Sequence, residues 1–302
     1  MDTLSQLIAL LAPQGSVDLH CRFAGRWEAD HPQTPAGVMP WHAILSGEAR
    51  LETGGQATLV KAGDILLLPY GAPHLLSSLE QGGQPVAKSR RHNGTLTEVV
   101  TQGEGGELTL LCGEFHFGVN GALLFDGASG VVKVETAARD DCRSLRALLA
   151  MLGEESLSGK PGASAIVREL TATFLTLLLR ALLHDSAPGM LALLADKRLA
   201  PAVAAVFSDP AAPWTLELLA ERCFLSRATF ARHFASRYAV TPQAWLTQVR
   251  MALAARLLAG GEMAVGRVAE ACGYQTQAAF TRAFKNCHGV TPGQFRQRDE
   301  AA

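Results

Sequence analysis

The apolar and polar positions divide the 302-residue chain into two parts with different periods. In the first part, short runs alternate apolar and polar residues, as in WHAILSGEARLE (41–52) and QATLVKAGDILLLPYGAPHLL (56–76). Period-two alternation interrupted by Gly turns predicts short β-strands. We therefore expect residues 15 to about 118 to form a β domain, with a long exposed loop or mobile hairpin over the Gly-rich, polar residues 82–106.

From residue 137 the period becomes helical. The segments 140–156 and 163–185 carry apolar residues at helical spacing, and SGKPG separates them as a breaker. SAPGM (186–190) is the predicted hinge, and the remainder to residue 298 is helical in pattern. The sequence thus predicts an α+β protein with three regions, namely a sensor domain over 1–136, a helical linker and candidate dimerisation region over 137–190, and an all-α domain over 191–302.

The last region contains an internal repeat. LAERCFLSRATFARHFASRYAVTP (219–242) and VAEACGYQTQAAFTRAFKNCHGVTP (268–292) share Ala-Glu, Cys, two Phe four residues apart and a closing Val-Thr-Pro. Each copy predicts a helix, a short turn and a second helix with Ser226 or Thr276 as N-cap. Paired Phe residues at i and i+4 bury one face and leave the intervening residues outward, which is the layout of a helix-turn-helix. The alternative is a helical core in which the two segments are similar by coincidence.

The charge distribution favours a polyanion as partner of the repeat region. The chain has a net charge of −1, but residues 197–298 hold 13 Lys and Arg against 5 Asp and Glu. A basic domain attached to an acidic body is typical of nucleic-acid binding, although a solvated basic surface has the same composition.

No apolar run reaches the roughly 18 residues of a membrane span, and the first residues lack a signal-peptide pattern, so we expect a soluble, cytoplasmic protein.

Residues 200–298 resemble the DNA-binding domain of the AraC/XylS family of transcription regulators, and AEACGYQTQAAFTRAFKNCHGVTPGQFRQ looks like its signature. The resemblance implies two helix-turn-helix units joined by a long helix over 241–261, double-stranded DNA as ligand and RNA polymerase as partner. It places the DNA-contacting positions on Ser226, Arg227, Ala228, Thr229 and Arg232 in the first unit, and on Thr276, Gln277, Ala278, Thr281 and Arg282 in the second. Arg suits guanine and Gln suits adenine. The second unit departs from the family pattern at Gln275-Thr276, where small hydroxyl or acidic residues are usual.

The segment GDILLLPYGAPH (63–74) fits the second cupin motif, which places His74 where cupin enzymes hold a metal. When the first motif is aligned on the turn at Gly47, the family glutamate falls on Pro40 and both histidines are missing. We therefore expect a cupin-like β-barrel without the usual metal site. A metal-dependent cupin enzyme remains the alternative from another functional class.

Four Cys and His residues lie on neighbouring predicted strands. His42 shares a strand face with Pro40 and Ile44, so we expect it to point into the barrel with His74. Cys21, His42, His74 and Cys112 could then form a Cys2His2 site, for which Zn²⁺ is the candidate cofactor. Two alternatives stay open. In one, His20 and Arg22 activate Cys21 as an oxidant-sensitive thiolate. In the other, these residues only fill the core.

A second resemblance bears on these cysteines. MDTLSQLIALLAPQGSVDLHC, WHAILSGEARLE and LLCG are similar to segments of the reactive-chlorine-sensing members of the AraC family. That similarity implies redox sensing through two N-terminal cysteines, which match Cys21 and Cys112. The leading hypothesis is therefore an oxidant-responsive, sequence-specific DNA-binding regulator, with a small-molecule sensor that binds its ligand in the barrel as the alternative. We expect Cys142, Cys223, Cys272 and Cys287 to be packing residues, and no cofactor is required.

Overall fold

The computed structural model describes residues 2–80, 84–118, 121–125, 130–184, 187–261 and 263–299. The chain divides into two compact units. The barrel unit comprises Pro13–Gly118 and Ala128–Leu182, and the helical unit comprises Met1–Ala12, Val119–Gly127 and Leu183–Ala302.

Two sheets form the barrel unit, as the alternating pattern predicts. The strands in chain order are β1 (Gln14–Ala24), β2 (Glu28–His31), β3 (Val38–Ser46), β4 (Glu48–Thr53), β5 (Gln56–Lys61), β6 (Asp64–Leu67), β7 (His74–Ser77), β8 (Ser89–His92), β9 (Thr97–Val100), β10 (Glu107–His116) and β11 (Val132–Glu135). The seven-stranded sheet has the order β11-β6-β3-β10-β1-β9-β8, and the four-stranded sheet has the order β2-β7-β4-β5.

Alternate residues of both sheets fill the interior of the barrel unit. One core cluster draws on strands of both sheets and contains Cys21, Phe23, Trp27, Ile44, Ala49, Leu51, Val60, Leu66, Leu76, Val99, Leu108, Leu110 and Cys112. The turn between β3 and β4 requires Gly47, whose φ is 80°. A Cβ at this position would also clash with the backbone oxygen of Glu107. The close approach of the two backbones therefore explains this glycine.

Residues 82–106 contain a hairpin, which is one of the two forms expected for this segment. Residues 82–83 lie outside the described part of the chain, but β8 and β9 form an antiparallel hairpin, and β9 pairs in parallel with β1. The side-chain amide of Asn93 in the hairpin turn donates to the carbonyl of Ser156, at 2.9 Å. All four residues of β8 are exposed, so this edge strand has no apolar alternation from which it could be predicted.

Twelve α-helices are described. They are α1 (Thr3–Leu11), α2 (Gly121–Phe125), α3 (Arg143–Leu157), α4 (Ala163–Leu183), α5 (Gly189–Ala195), α6 (Ala200–Ser208), α7 (Leu216–Arg222), α8 (Arg227–Arg237), α9 (Pro242–Ala259), α10 (Val265–Ala271), α11 (Gln277–His288) and α12 (Pro292–Asp299). The predicted hinge at 186–190 overlaps residues 185–186, which lie outside the described residues; α5 already begins at Gly189. Among the helices described, none combines the length and the apolar character that crossing a membrane requires.

The helices of the predicted linker pack on the barrel. Phe174 of α4 lies 4.9 Å from Trp41 and 5.7 Å from Phe115, measured between ring centroids. All three side chains are fully buried. Residues 137–182 consequently belong to the same compact unit as the strands, which differs from the sequence-based boundary at 136/137.

The N-terminal helix belongs to the helical unit. α1 packs on α6 and α9, with Leu7 fully buried. The guanidinium of Arg256 on α9 donates to the carbonyl of Ala9, at 3.1 Å. The sequence-based domain over 1–136 did not anticipate that its first residues would complete the core of the other unit.

Candidate functional site

The first repeat copy forms a helix-turn-helix from α7 and α8. Ser226 caps α8 by accepting a hydrogen bond from the backbone N–H of Thr229, at 3.3 Å. Phe230 and Phe234 are fully buried, and the Phe234 ring lies 5.5 Å from that of Trp245 on α9. The buried stripe fixes the orientation of α8 and leaves its other face free.

The second copy repeats this construction with α10 and α11. Thr276 accepts from the backbone N–H of Ala279 at 3.2 Å, and Phe280 and Phe284 are fully buried. The turn differs, since Gly273 has a φ of 77° where the first copy places Phe224 at 54°. At Gly273 an added Cβ would come within 2.6 Å of the Ala211 carbonyl oxygen, so only the second turn requires glycine by contact.

The predicted DNA-contacting residues all lie at or after the N-termini of α8 and α11. Eight of them are exposed, namely Ser226, Arg227, Ala228, Arg232, Thr276, Gln277, Ala278 and Arg282, and Thr229 and Thr281 are partly buried. Arg227 forms an ion pair with Glu217 of α7 at 2.9 Å. The first turns of both helices therefore present polar side chains to solvent, and the individual DNA contacts stay predictions.

A buried carboxylate holds α8 against the preceding helices. Asp196, at the end of α5, lies 2.9 Å from His233 Nε2 and 3.0 Å from Arg237 Nε. Burial opposes ionisation of this group, but hydrogen bonds from the backbone N–H groups of Arg198 and Leu199, together with the neighbouring His233 and Arg237, hold the pKa of Asp196 below its ordinary value. The charge on Asp196 thus orients the C-terminal part of α8.

In the barrel unit, Cys and His side chains form a connected chain. His42 Nδ1 lies 3.0 Å from Cys112 Sγ, and His42 Nε2 lies 2.7 Å from His74 Nε2. Strand β1 pairs with β10, and Cys21 lies opposite Leu110, two residues from Cys112. Residues two apart on a strand share a face, so Cys21 and Cys112 face the same interior. The neighbouring Cys21 thiol and burial both raise the pKa of Cys112 well above its ordinary value.

The neighbours of Cys21 in sequence do not share its environment. Cys21 belongs to the core cluster, whereas Arg22 is exposed and His20 lines a cavity on the other face of β1. Successive residues of a strand point to opposite faces. The geometry therefore does not support the expected activation of Cys21 by His20 and Arg22.

Three imidazoles converge in the structure, and one of them was missed from the sequence. His31, His42 and His74 each offer a ring nitrogen, and these atoms lie within 4.8 Å of one another. We call these residues the imidazole triad. Of the four residues expected to form a Cys2His2 site, only His42 and His74 belong to it. His31 ends the polar strand β2, where no apolar alternation marked it, and it pairs in register with His74.

Burial keeps the imidazole triad neutral. It lowers the pKa of His31 to about 4, and it also lowers the pKa values of His42 and His74. The repulsion between the imidazoles acts in the same direction on His31 and His42. Neutral imidazole has a free lone pair on one nitrogen, which is the form that binds metals.

A cavity of about 640 Å³ lies between the seven-stranded sheet and α3. Its lining is mainly apolar and includes Ile44, Leu45 and Leu149, with His20 and Arg146 as polar members. The Arg146 guanidinium already donates to the carbonyls of Thr136 and Arg139.

The other cysteines mostly behave as core residues. Cys142, Cys223 and Cys272 are buried, and burial raises the pKa of Cys272 to about 12. Cys287 is exposed, which corrects the expectation that it is a packing residue.

Comparison with known proteins agrees with both halves of this architecture. The family model described as Cupin matches residues 2–184, and the model described as Helix-turn-helix domain matches residues 219–298. The chain is 28% identical to the RCS-specific HTH-type transcriptional activator RclR of Escherichia coli K12, covering 99% of this chain and 98% of that protein. It is 30% identical to an uncharacterized HTH-type transcriptional regulator of Haemophilus influenzae, over 98% of this chain and 99% of that protein.

A third relative, the HTH-type transcriptional regulator MtrA of Neisseria gonorrhoeae, is 30% identical, with 98% of each chain covered. These matches extend over the cupin part and the repeat together, so they concern the whole arrangement and not the DNA-binding part alone. The chain belongs to the AraC family of DNA-binding transcription regulators, and its N-terminal part is a cupin domain.

Proposed function

We propose that this chain is an oxidant-responsive transcription regulator in which Cys21 and Cys112, the thiol pair, sense the oxidant. One observation carries the proposal. Both thiols lie in one core cluster, on the paired strands β1 and β10, inside a domain attached to a double helix-turn-helix. Similarity to a relative named as an RCS-specific activator supports it.

Two neighbouring thiols suit a two-electron oxidant such as hypochlorous acid. Attack of one sulfur on the chlorine would give a sulfenyl chloride and water. Attack of the second thiol would then form the S–S bond, and chloride and a proton would leave. Both cysteine sulfurs are oxidised, and chlorine is reduced from the +1 state to chloride. A second thiol on the adjacent strand favours capture of the oxidised sulfur over its further oxidation.

Disulfide formation would change the barrel because the two cysteines are diagonal neighbours. Diagonal Cα atoms on antiparallel strands are about 7–8 Å apart, whereas a disulfide requires roughly 7 Å or less. Bond formation would therefore draw β1 and β10 together. A β-bulge between Val17 and Leu19, next to the Cys112 pairing, offers local freedom for this movement.

The output of the proposed switch is altered DNA binding by the helical unit. RNA polymerase and a second copy of the chain are the proposed protein partners, by resemblance to the family. The matched relatives are transcription regulators, which supports a regulatory role over an enzymatic one.

The test compares DNA binding before and after treatment with one equivalent of hypochlorous acid. The wild type is expected to change its affinity for selected DNA and to regain the original value after reduction. Cys21→Ser and Cys112→Ser should both lose this response while they retain DNA binding. Cys142→Ser, which removes a buried cysteine outside the thiol pair, is the matched control and should respond like the wild type.

Mass spectrometry after oxidation identifies the bond. A Cys21–Cys112 disulfide is the expected product. An unchanged response in Cys21→Ser, or a disulfide that excludes both residues, would overturn the proposal.

The cavity between the sheet and α3 favours a second candidate function, namely sensing of a small, mostly apolar molecule. Its volume, about 640 Å³, is within the range of ligand sites. Leu149→Trp should fill this space. If this variant loses the thermal shift that a ligand causes in the wild type but keeps the oxidant response, the ligand is sensed in the cavity.

A further inference from the structure

The imidazole triad bridges the two sheets of the barrel unit. His31 and His74 lie on paired strands β2 and β7 of the four-stranded sheet, and His42 lies on β3 of the seven-stranded sheet. The ring centroids are 4.5 Å apart for His31–His74 and 4.9 Å apart for each pair that includes His42. Three rings from three strands thus surround one point.

The remaining nitrogen of every ring has a partner that orients it. His31 Nδ1 lies 3.1 Å from the Ala29 carbonyl, and His74 Nδ1 lies 2.9 Å from the Ala72 carbonyl. His42 Nδ1 lies 3.0 Å from Cys112 Sγ. Histidines that bind metals characteristically have their other nitrogen fixed in this way. All three Nε2 atoms are therefore left for a common ligand.

The hydrogen bonds also define the tautomers without an ion. Carbonyl oxygens only accept, so His31 and His74 carry their proton on Nδ1. His42 Nε2–H must then donate to His74 Nε2, at 2.7 Å, and His42 Nδ1 accepts from the Cys112 thiol. A single proton between two ring nitrogens occupies the place where a cation would bind.

We infer that the imidazole triad is a binding site for a late first-row d-block cation, Zn²⁺ or Cu⁺, with three Nε2 atoms as ligands and Cys112 behind His42. Three neutral nitrogens suit these ions, whereas Mg²⁺ and Ca²⁺ require oxygen ligands. The inference does not depend on the proposed oxidant response.

Binding of the cation would rearrange the site slightly. Metal–nitrogen distances of about 2.0–2.1 Å in a tetrahedral site separate ligand nitrogens by about 3.3 Å. His42 and His74 would move apart from 2.7 Å, and the His42 proton would shift from Nε2 to Nδ1. Cys112 Sγ would then accept a hydrogen bond from His42 instead of donating one.

The imidazole triad is closest to solvent at His31, which is only partly buried.

The experiment titrates the metal-free, full-length protein with Zn²⁺, and separately with Cu⁺ under anaerobic reducing conditions, against chelators of known affinity. One equivalent of at least one ion should bind. His31→Ala and His42→Ala should lose stoichiometric binding, whereas His92→Ala, an exposed histidine on β8, should bind like the wild type. Cys112→Ala should retain the site with about 10–100-fold weaker affinity, as for loss of a partner that orients a ligand.

Far-UV circular dichroism shows whether each variant is folded. Because His31 is the most exposed member of the triad, His31→Ala keeps the test valid if His42→Ala fails to fold. Binding of Zn²⁺ alone or of Cu⁺ alone would support the site and identify its ion. Absence of one-equivalent binding by both ions, or full binding in folded His31→Ala, would overturn the inference.

Discussion

At the scale of single residues, the repeat owes its stability to buried Phe side chains. Phe284 is fully buried and packs against Phe280, His288 and Phe295, with ring centroids 5.8, 4.4 and 5.4 Å away. One side chain therefore holds α11 to α12 and to its own preceding turn. The spacing of Phe280 and Phe284 predicted that both lie on one buried helix face, because residues i and i+4 are neighbours on a helix.

Phe284→Ala should lower the free energy of unfolding of the helical unit by about 3–5 kcal/mol, since the truncation leaves a cavity in a small core. Chemical denaturation followed by circular dichroism measures the change. Lys285→Ala, at the adjacent exposed position, is the control and should leave stability nearly unchanged. Equal denaturation midpoints for Phe284→Ala and wild type would show that the Phe stripe is not core.

The imidazole triad shows what residue patterns cannot predict. His42 and His74 were found because a cupin motif and strand alternation marked their positions. His31 was missed because β2 contains the polar residues Glu28 and Asp30 and because its pairing with β7 joins residues 43 positions apart in sequence. The register between strands that are distant in sequence depends on the whole sheet. The local pattern of apolar and polar residues therefore cannot predict it.

At the scale of elements, contacts between helices orient α8. Asp196 at the end of α5 binds both His233 and Arg237 of α8. Its side chain is only 7% exposed, so the interaction is screened less than a surface ion pair. Hydrogen bonds to a buried charged group contribute on the order of 1.5–3 kcal/mol.

Asp196→Asn should lower the free energy of unfolding at pH 7 by on the order of 1–3 kcal/mol. The pKa of Asp196 is lower in the folded state than the value of about 3.9 in an unfolded chain. Its contribution is therefore complete above about pH 4 and is lost as the pH falls through the folded value. Denaturation midpoints measured from pH 7 to pH 3 should converge for wild type and Asp196→Asn at the acid end.

The matched control is Glu221→Gln, which neutralises an exposed carboxylate on α7. A constant difference between wild type and Asp196→Asn at every pH would contradict the assignment to ionised Asp196.

Contacts between elements also explain why the compact units differ from the domain boundaries expected from the sequence. The apolar face of α4 predicts that this segment is a helix. It does not predict which surface of the protein covers that face. Phe174 packs on Trp41 and Phe115, and so the predicted linker joins the barrel unit. α1 was not recognised as part of the helical unit for the same reason, since Leu7 is buried by helices about 200 residues further along the chain.

At the scale of the whole molecule, the central claim is that the repeat provides two DNA-reading helices, α8 and α11. Each copy has its own N-cap, buried Phe pair and exposed first turn. Arg232 and Arg282 occupy equivalent exposed positions on α8 and α11. If both helices enter major-groove faces on one side of the duplex, the preferred DNA sequence has two elements about 10 base pairs apart, one helical turn.

Selection of bound sequences from a random DNA library, performed with wild type, Arg232→Ala and Arg282→Ala, tests this claim most directly. We expect the wild type to select two short elements separated by about one helical turn. Arg232→Ala should relax one element and Arg282→Ala the other, each with a loss of about 1–3 kcal/mol in specific binding free energy. A single selected element, or relaxation of the same base positions by both variants, would contradict the account.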